Sequence, residues 1–300
     1  MRPSDLTAHV EHDPHQRSPE PLRPRLRLDE ETTRRLKAPP TPGRLLAIAR
    51  WLSNRARQRA HHRRRRLESD RIRLVAEGDS WFNYPFVVDD LVDHLWKDHL
   101  IDCVSAPGDT LARMALEPDH LAAVERSRPN LLIVSGGGND LLGAGPDGRS
   151  LLRLMAEGAP RARRGPLLDE RLLGRFAERF EANLERLCGE ALAVRPGMKA
   201  LLHGYDYPRP RAGGPLLGGP LEAAGVDDPD RRAAICRRLI DRLNDSVAAV
   251  ARRSGGAVGH LDLRGAAPAD DAFWLDEIHP NSRGFAIVAE RFRRRIAEWV

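Results

Sequence analysis

Asn130-Leu131-Leu132-Ile133-Val134-Ser135 is followed at once by Gly136-Gly137-Gly138-Asn139-Asp140. The first half holds four consecutive apolar residues with no polar alternation. That pattern belongs to a strand whose sheet is covered on both faces. Four further short apolar runs share its character: Ile72–Glu77, Ile101–Ser105, Lys199–His203 and Ala257–Leu263. Between them the apolar residues recur at helical spacing over Val87–His99, Thr110–Ser127, Leu168–Val194, Pro229–Ser254 and Ser282–Val300, with a shorter piece over Leu151–Glu157. Gly136–Gly165 and the Gly/Pro-rich Tyr205–Asp228 read as long loops. Strand and helix in alternation predict an α/β fold: a five-stranded parallel sheet with helices on both faces, a three-layer α/β/α sandwich. Ligands in such folds bind beyond the carboxyl ends of the strands.

The alternation begins near Arg71, and residues 1–68 differ in composition from residues 69–300. The spacing therefore predicts a basic N-terminal extension and one α/β domain. Met1–Arg27 is rich in Pro, His, Arg and acids and is expected to be disordered. Asp29–Thr33 can open a short helix, and Pro39, Pro40 and Pro42 break the chain. Gly43–Arg66 reads as a basic amphipathic helix, packed on the domain with its arginine tail in solvent. Contact of residues 43–66 with an anionic membrane surface, a nucleic acid or a partner is the alternative. Net charge is +6 and the isoelectric point is about 9.8. Only three of the basic residues are lysines, so arginine-rich codon usage accounts for the charge more simply than phosphate binding does. No secretory leader pattern is visible and the three cysteines, Cys103, Cys188 and Cys236, are widely spaced. They read as reduced core thiols in a cytoplasmic protein.

Four blocks fall where such a sheet would bring them together. Gly78-Asp79-Ser80 follows the first strand, Pro107-Gly108-Asp109-Thr110 the second and Gly136–Asp140 the third, while Asp276-Glu277-Ile278-His279 precedes the last helix. Each is weak alone: the first could be an ordinary turn, and Asp276 with His279 could be a surface pair or two metal ligands. Together they describe one reaction. A serine hydroxyl is a poor nucleophile without a base in hydrogen-bond reach. Ser80 supplies the hydroxyl, His279 the base and Asp276 the carboxylate that fixes the imidazole tautomer. The backbone N–H groups of Ser80 and Gly108 and the Asn139 side chain are the expected oxyanion donors. Asp79 and Asp140 are read as braces of their own turns. Glu277 is a rival to Asp276 with an outward or pocket-rim position. Trp81, Tyr84, His203 and Tyr205 are candidate pocket residues.

These blocks, in this order, resemble the SGNH hydrolases, the GDSL esterase/lipase family, with Ser80, Gly108, Asn139 and His279 on the four name-giving positions and Asp276 on the family's Asp-x-x-His block. The first block departs from the family's pattern by reading Gly-Asp-Ser-Trp in place of Gly-Asp-Ser-Leu. The resemblance runs from Ile72 to the C-terminus and leaves residues 1–68 uncovered. It implies a flavodoxin-like sandwich and hydrolysis of carboxylic esters or thioesters through an acyl-serine, with no metal and no cofactor. The expected substrate is a small-molecule, carbohydrate or lipid acyl ester. An O-acyltransferase would use the same residues, and a recruitment protein governed by the basic helix is a third reading. A Gly-x-Ser-x-Gly nucleophile elbow is absent from the chain.

Overall fold

The computed structural model describes residues 54–65, 68, 70–84, 87–159 and 165–300. The expectations for Met1–Arg27, Asp29–Thr33, the proline break and the first part of the Gly43–Arg66 helix lie outside these residues. The five strands are β1 (Arg73–Gly78), β2 (Leu100–Cys103), β3 (Leu131–Ser135), β4 (Lys199–His203) and β5 (Val258–Leu261). They form one sheet in the order β2-β1-β3-β4-β5, every pair parallel. This is the doubly wound order that reverses direction between β1 and β3. Register pairs Leu74 with Leu131 and Gly78 with Ser135, so the Gly78 and Ser135 ends emerge side by side. All five residues of β3 are buried, as its unbroken apolar run requires.

Residues 54–65 are helical and are called α1. The remaining helices are α2 (Leu91–Leu95), α3 (Leu111–Met114), α4 (Asp119–Ser127), α5 (Gly138–Leu142), α6 (Leu151–Glu157), α7 (Glu170–Val194), α8 (Gly218–Ala223), α9 (Pro229–Arg253) and α10 (Ser282–Trp299). Two expected helices are shorter or divided, for local reasons. Val87–His99 contracts to α2 because Asp90 caps it, in a reciprocal capping box with Asp93. Thr110–Ser127 splits at Pro118, which lacks the N–H that a continuous helix would use. Both long expected loops contain a helical turn, α5 and α8. The long helices α7 and α9 begin at Asp169 and Asp228, whose side chains accept from the first backbone N–H groups. α7 packs against α3, α4 and α9, and α2 packs against α10.

α1 is fastened to the sheet domain by its arginines. Arg57 is buried: it donates to Phe82 O at 2.8 Å, to Asp90 Oδ2 at 2.7 Å and to Asp93 Oδ1 at 2.8 Å, and it reaches Cys103 Sγ in β2. Arg64 donates to Trp96 O and Arg65 to Arg126 O. The expectation of a solvated arginine tail fails for these three residues, because backbone carbonyls and carboxylates of the domain take up their donors. Among the described residues no helix is long and apolar enough to cross a membrane.

Candidate active site

The turn after β1 is held from beneath by a buried carboxylate. Asp79 N donates to Ser135 O at 3.2 Å, and the Asp79 side chain accepts from Trp81 N at 3.0 Å, Ser135 Oγ at 2.9 Å and Tyr205 Oη at 2.5 Å. Burial pushes the Asp79 carboxyl up, and these three donors pull it back. Gly78 must be glycine here, since a Cβ would stand 2.8 Å from Ser135 O. With its neighbour so constrained, Ser80 projects from a rigid turn at the point where the sheet reverses direction.

The loop before α10 presents the partner. Asp276 Oδ1 accepts the backbone N–H groups of Ile278 and His279 at 2.9 and 2.8 Å, a local Asx turn that folds the loop back on itself. Leu275 N also bonds His279 O at 2.9 Å. The remaining Asp276 oxygen lies 2.7 Å from His279 Nδ1, and His279 Nε2 lies 2.7 Å from Ser80 Oγ. Nδ1–H facing a carboxylate leaves Nε2 as the acceptor for the serine hydroxyl. Burial raises the Asp276 carboxyl, but the His279 hydrogen bond and charge, with the two backbone donors, hold it below the usual carboxylate range. Trp81 Nε1 donates to Ile278 O at 3.2 Å and ties the two loops together. The Tyr84 ring packs edge-on against the His279 ring with centroids 4.8 Å apart.

The third block closes the arrangement. Asn139 Nδ2 donates to Asp109 O at 2.9 Å, which joins the loop after β3 to the turn after β2. Asp140 accepts from Leu111 N and Ala112 N, so it binds α5 to α3. Gly108 has φ +81° and is exposed on the turn before Asp109. Gly138 N donates to Tyr205 Oη at 3.2 Å, and this one phenol therefore bridges the Asp79 turn and the glycine-rich loop. Tyr205 sits at φ +64°, a left-handed conformation that costs a bulky residue of order 1–3 kcal/mol. Its own N–H is turned onto His203 Nδ1 at 3.1 Å.

An apolar cavity, partly open to solvent, begins at Ser80, Asn139 and His279 and runs between helices. Its walls are Leu141 and Leu142 of α5, Leu217, and Leu239, Ile240 and Leu243 of α9. Trp81 and Tyr205 line it as expected. Tyr84 and His203 do not: Tyr84 flanks His279, and His203 is buried among the rings of Trp81, Phe82, Tyr205 and Phe292. Gly108 is also outside the lining and reaches the site through Asp109. Glu277 is not at the rim; it is 2% exposed and points into the protein. The sequence reading missed the α9 wall. Cys236, Leu239, Ile240 and Leu243 follow i, i+3, i+4, i+7 spacing and are indistinguishable from an ordinary core stripe. Burial pushes the Cys236 thiol up to about 12, as expected for an inert core cysteine. Among the described residues no cluster of three or more His, Cys, Asp or Glu side chains is arranged to hold a metal ion.

Known proteins share this architecture. The chain is similar to the solved structure of a Streptococcus pneumonia protein provisionally named a platelet activating factor, at 12% identity and TM-score 0.50, over 85% of this chain and 97% of that one. An extracellular lipase from Streptomyces rimosus aligns at 16% identity and TM-score 0.49, over 74% of this chain and 99% of that one. No curated protein matches the chain. The GDSL-like Lipase/Acylhydrolase family matches residues 73–287. That span contains the whole sheet and all four blocks from Gly78 to His279, and the chain belongs to the GDSL-like lipase/acylhydrolase family.

Proposed function

We propose that the protein hydrolyses carboxylic esters through an acyl-Ser80 intermediate, with His279 as the base and Asp276 as its orienting carboxylate. One observation carries the reading: Ser80 Oγ, the His279 ring and the Asp276 carboxylate are joined by two 2.7 Å contacts at the mouth of an apolar cavity. Ser80 Oγ attacks the acyl carbonyl as its proton passes to His279 Nε2. Asp276 stabilises the imidazolium that forms. The carbonyl oxygen, now negative, is held by the Ser80 N–H, the Gly108 N–H and the second amide hydrogen of Asn139, the first being engaged by Asp109 O. When the tetrahedral intermediate collapses, the ester C–O bond breaks and His279 returns the proton to the departing alcohol. Water repeats the sequence on the acyl-serine and releases the acid. Asp79 takes no proton in this scheme; it fixes the turn that carries Ser80.

The cavity favours acyl groups with an apolar tail, since its depth is lined by leucine and isoleucine. The test is turnover of a p-nitrophenyl ester by the wild type and by Ser80→Ala, with mass spectrometry of the wild type after a fluorophosphonate. The expected result is a loss of at least about 10³-fold in kcat for Ser80→Ala, with the phosphonate mass on the Ser80 peptide. Comparable turnover by the two proteins would sink the mechanism.

A further inference from the structure

Between the orienting Asp276 and Ile278 stands a carboxylate that the proposed reaction does not use. Glu277 is buried, and four backbone N–H groups converge on it: Arg211 at 2.9 Å and Gly218 at 2.8 Å on Oε1, Leu216 at 2.8 Å and Leu217 at 3.0 Å on Oε2. Its own carbonyl accepts Arg209 N–H at 2.7 Å. The segment 211–218 is wound so closely around the carboxylate that a Cβ on Gly214 would stand 2.3 Å from Glu277, and one on Gly218 would lie 1.6 Å from Arg211 O. Charge-assisted hydrogen bonds of this kind are about twice as strong as neutral ones. A single side chain thus organises a stretch that has almost no regular structure of its own.

That stretch reaches the cavity at Leu217, and Pro208 before it and Ile278, the residue after Glu277, line the same cavity together with Leu239, Ile240 and Leu243. The Asp276–His279 block therefore faces two ways: Asp276 orients the base, and Glu277 holds the wall against which a substrate's acyl chain would lie. We propose that Glu277 is a specificity-determining positioning residue, which fixes the Pro208–Gly218 wall to the base loop and so gives the site a preference for esters of straight acyl chains several carbons long over acetyl esters. The proposal rests on the acyl-Ser80 reading.

Each methylene buried against this wall is worth about fourfold in kcat/KM. The experiment measures kcat and KM on p-nitrophenyl acetate, butyrate, hexanoate and octanoate for the wild type, Glu277→Gln, Leu217→Trp and Ser80→Ala. Glutamine presents an NH2 group to donors that need an acceptor. The wild type is expected to favour octanoate, and Glu277→Gln to lose at least tenfold in the octanoate-to-acetate ratio of kcat/KM, mostly through KM. A merely structural role would lower all four esters by the same factor, and that outcome, an unchanged ratio or a wild-type preference for acetate overturns the proposal. Leu217→Trp fills the cavity with its side chain and keeps the backbone N–H that donates to Glu277 Oε2. It is expected to shift the preference toward acetate, and it decides the matter alone if Glu277→Gln does not fold: a wild-type profile then refutes the proposal. An active Ser80→Ala refutes the underlying reaction; an inactive Ser80→Ala with a wild-type profile in Glu277→Gln refutes only the role of Glu277.

Discussion

Replacing Arg57 by Met should unfold the protein at markedly lower denaturant, although Arg57 lies outside the span that matches the family. Methionine keeps most of the apolar stem and removes the charge, so packing loss is kept small. What remains is Asp90, wholly buried, with Tyr84 N and Asp93 N as its other donors. Burial already pushes the Asp90 carboxyl upward and Arg57 is the chief opposing pull. Removing one partner of a buried pair costs about 3–5 kcal/mol, because the other charge is left uncompensated. With a urea slope near 3 kcal/mol per M, the midpoint should fall by about 1–1.7 M. The double variant Arg57→Met/Asp90→Asn removes the charge of the wholly buried residue, and the single amide oxygen of asparagine can still cap α2 at Asp93 N, while Tyr84 N and the half-buried Asp93 carboxylate each lose a partner. It should recover at least half of the loss, and the double-mutant cycle should show the coupling directly. Turnover should fall as well in the single variant, since Arg57 also holds Phe82 O two residues after the proposed nucleophile. A midpoint within about 0.3 M of the wild type, or a double variant no more stable than the single, would refute the claim that α1 is an integral part of the domain.

Three other outcomes follow from groups in the site and beneath it. His203 is held neutral down to about pH 3, first by burial and then by His260; between its unfolded value of about 6.5 and that pH the unfolded chain binds the extra proton. Stability therefore falls as pH is lowered through this window, and His203→Phe should reduce the slope of unfolding free energy against pH by about 1.4 kcal/mol per unit; an identical slope contradicts the assignment. Tyr205→Phe removes a donor to buried Asp79 and an acceptor for Gly138 N–H, so urea unfolding should show a loss of about 1.5–3 kcal/mol with a fall in kcat; a neutral effect on both would mean that the phenol braces nothing. Asn139→Ala should lower kcat about 10²–10³-fold with little change in KM; a loss below about tenfold removes Asn139 from the oxyanion site.

The five-stranded parallel sheet was legible because each strand is a short apolar run whose neighbours are helical. Strand ends were read to within a residue or two for the same reason, while Pro118 and the Asp90–Asp93 box show where a local cap overrides a longer apolar period. Ser80, Asp276 and His279, which the structure brings into contact, could be singled out from the sequence because the proposed chemistry demands particular side chains close to strand ends and to the last helix. The pocket was not. Leu239, Ile240 and Leu243 carry the pattern of a core helix face, and nothing in that pattern distinguishes a cavity lining from a filled core. Tyr84 and His203 were plausible pocket residues because they follow strand ends, yet one is turned onto the base and the other is enclosed by four aromatic rings.

The same contrast explains why Glu277 was misplaced. Adjacent residues in an extended loop point in opposite directions, so a carboxylate beside Asp276 suggested a rim position when Asp276 was assigned inward. The Asx turn made by Asp276 changes that geometry: it rotates the loop so that Asp276 and His279 face the serine while Glu277 faces the 211–218 backbone. Its partners are main-chain N–H groups, which every residue has, so no side-chain pattern near position 214 could announce them. The sequence trace is the close spacing of Gly213, Gly214, Gly218 and Gly219. Gly214 and Gly218 are glycine because the backbone at those points is pressed against the Glu277 carboxylate and the Arg211 carbonyl. On the proposed reading, the reaction type is written in side chains that must be particular residues, and the acyl preference in backbone packed around one buried carboxylate.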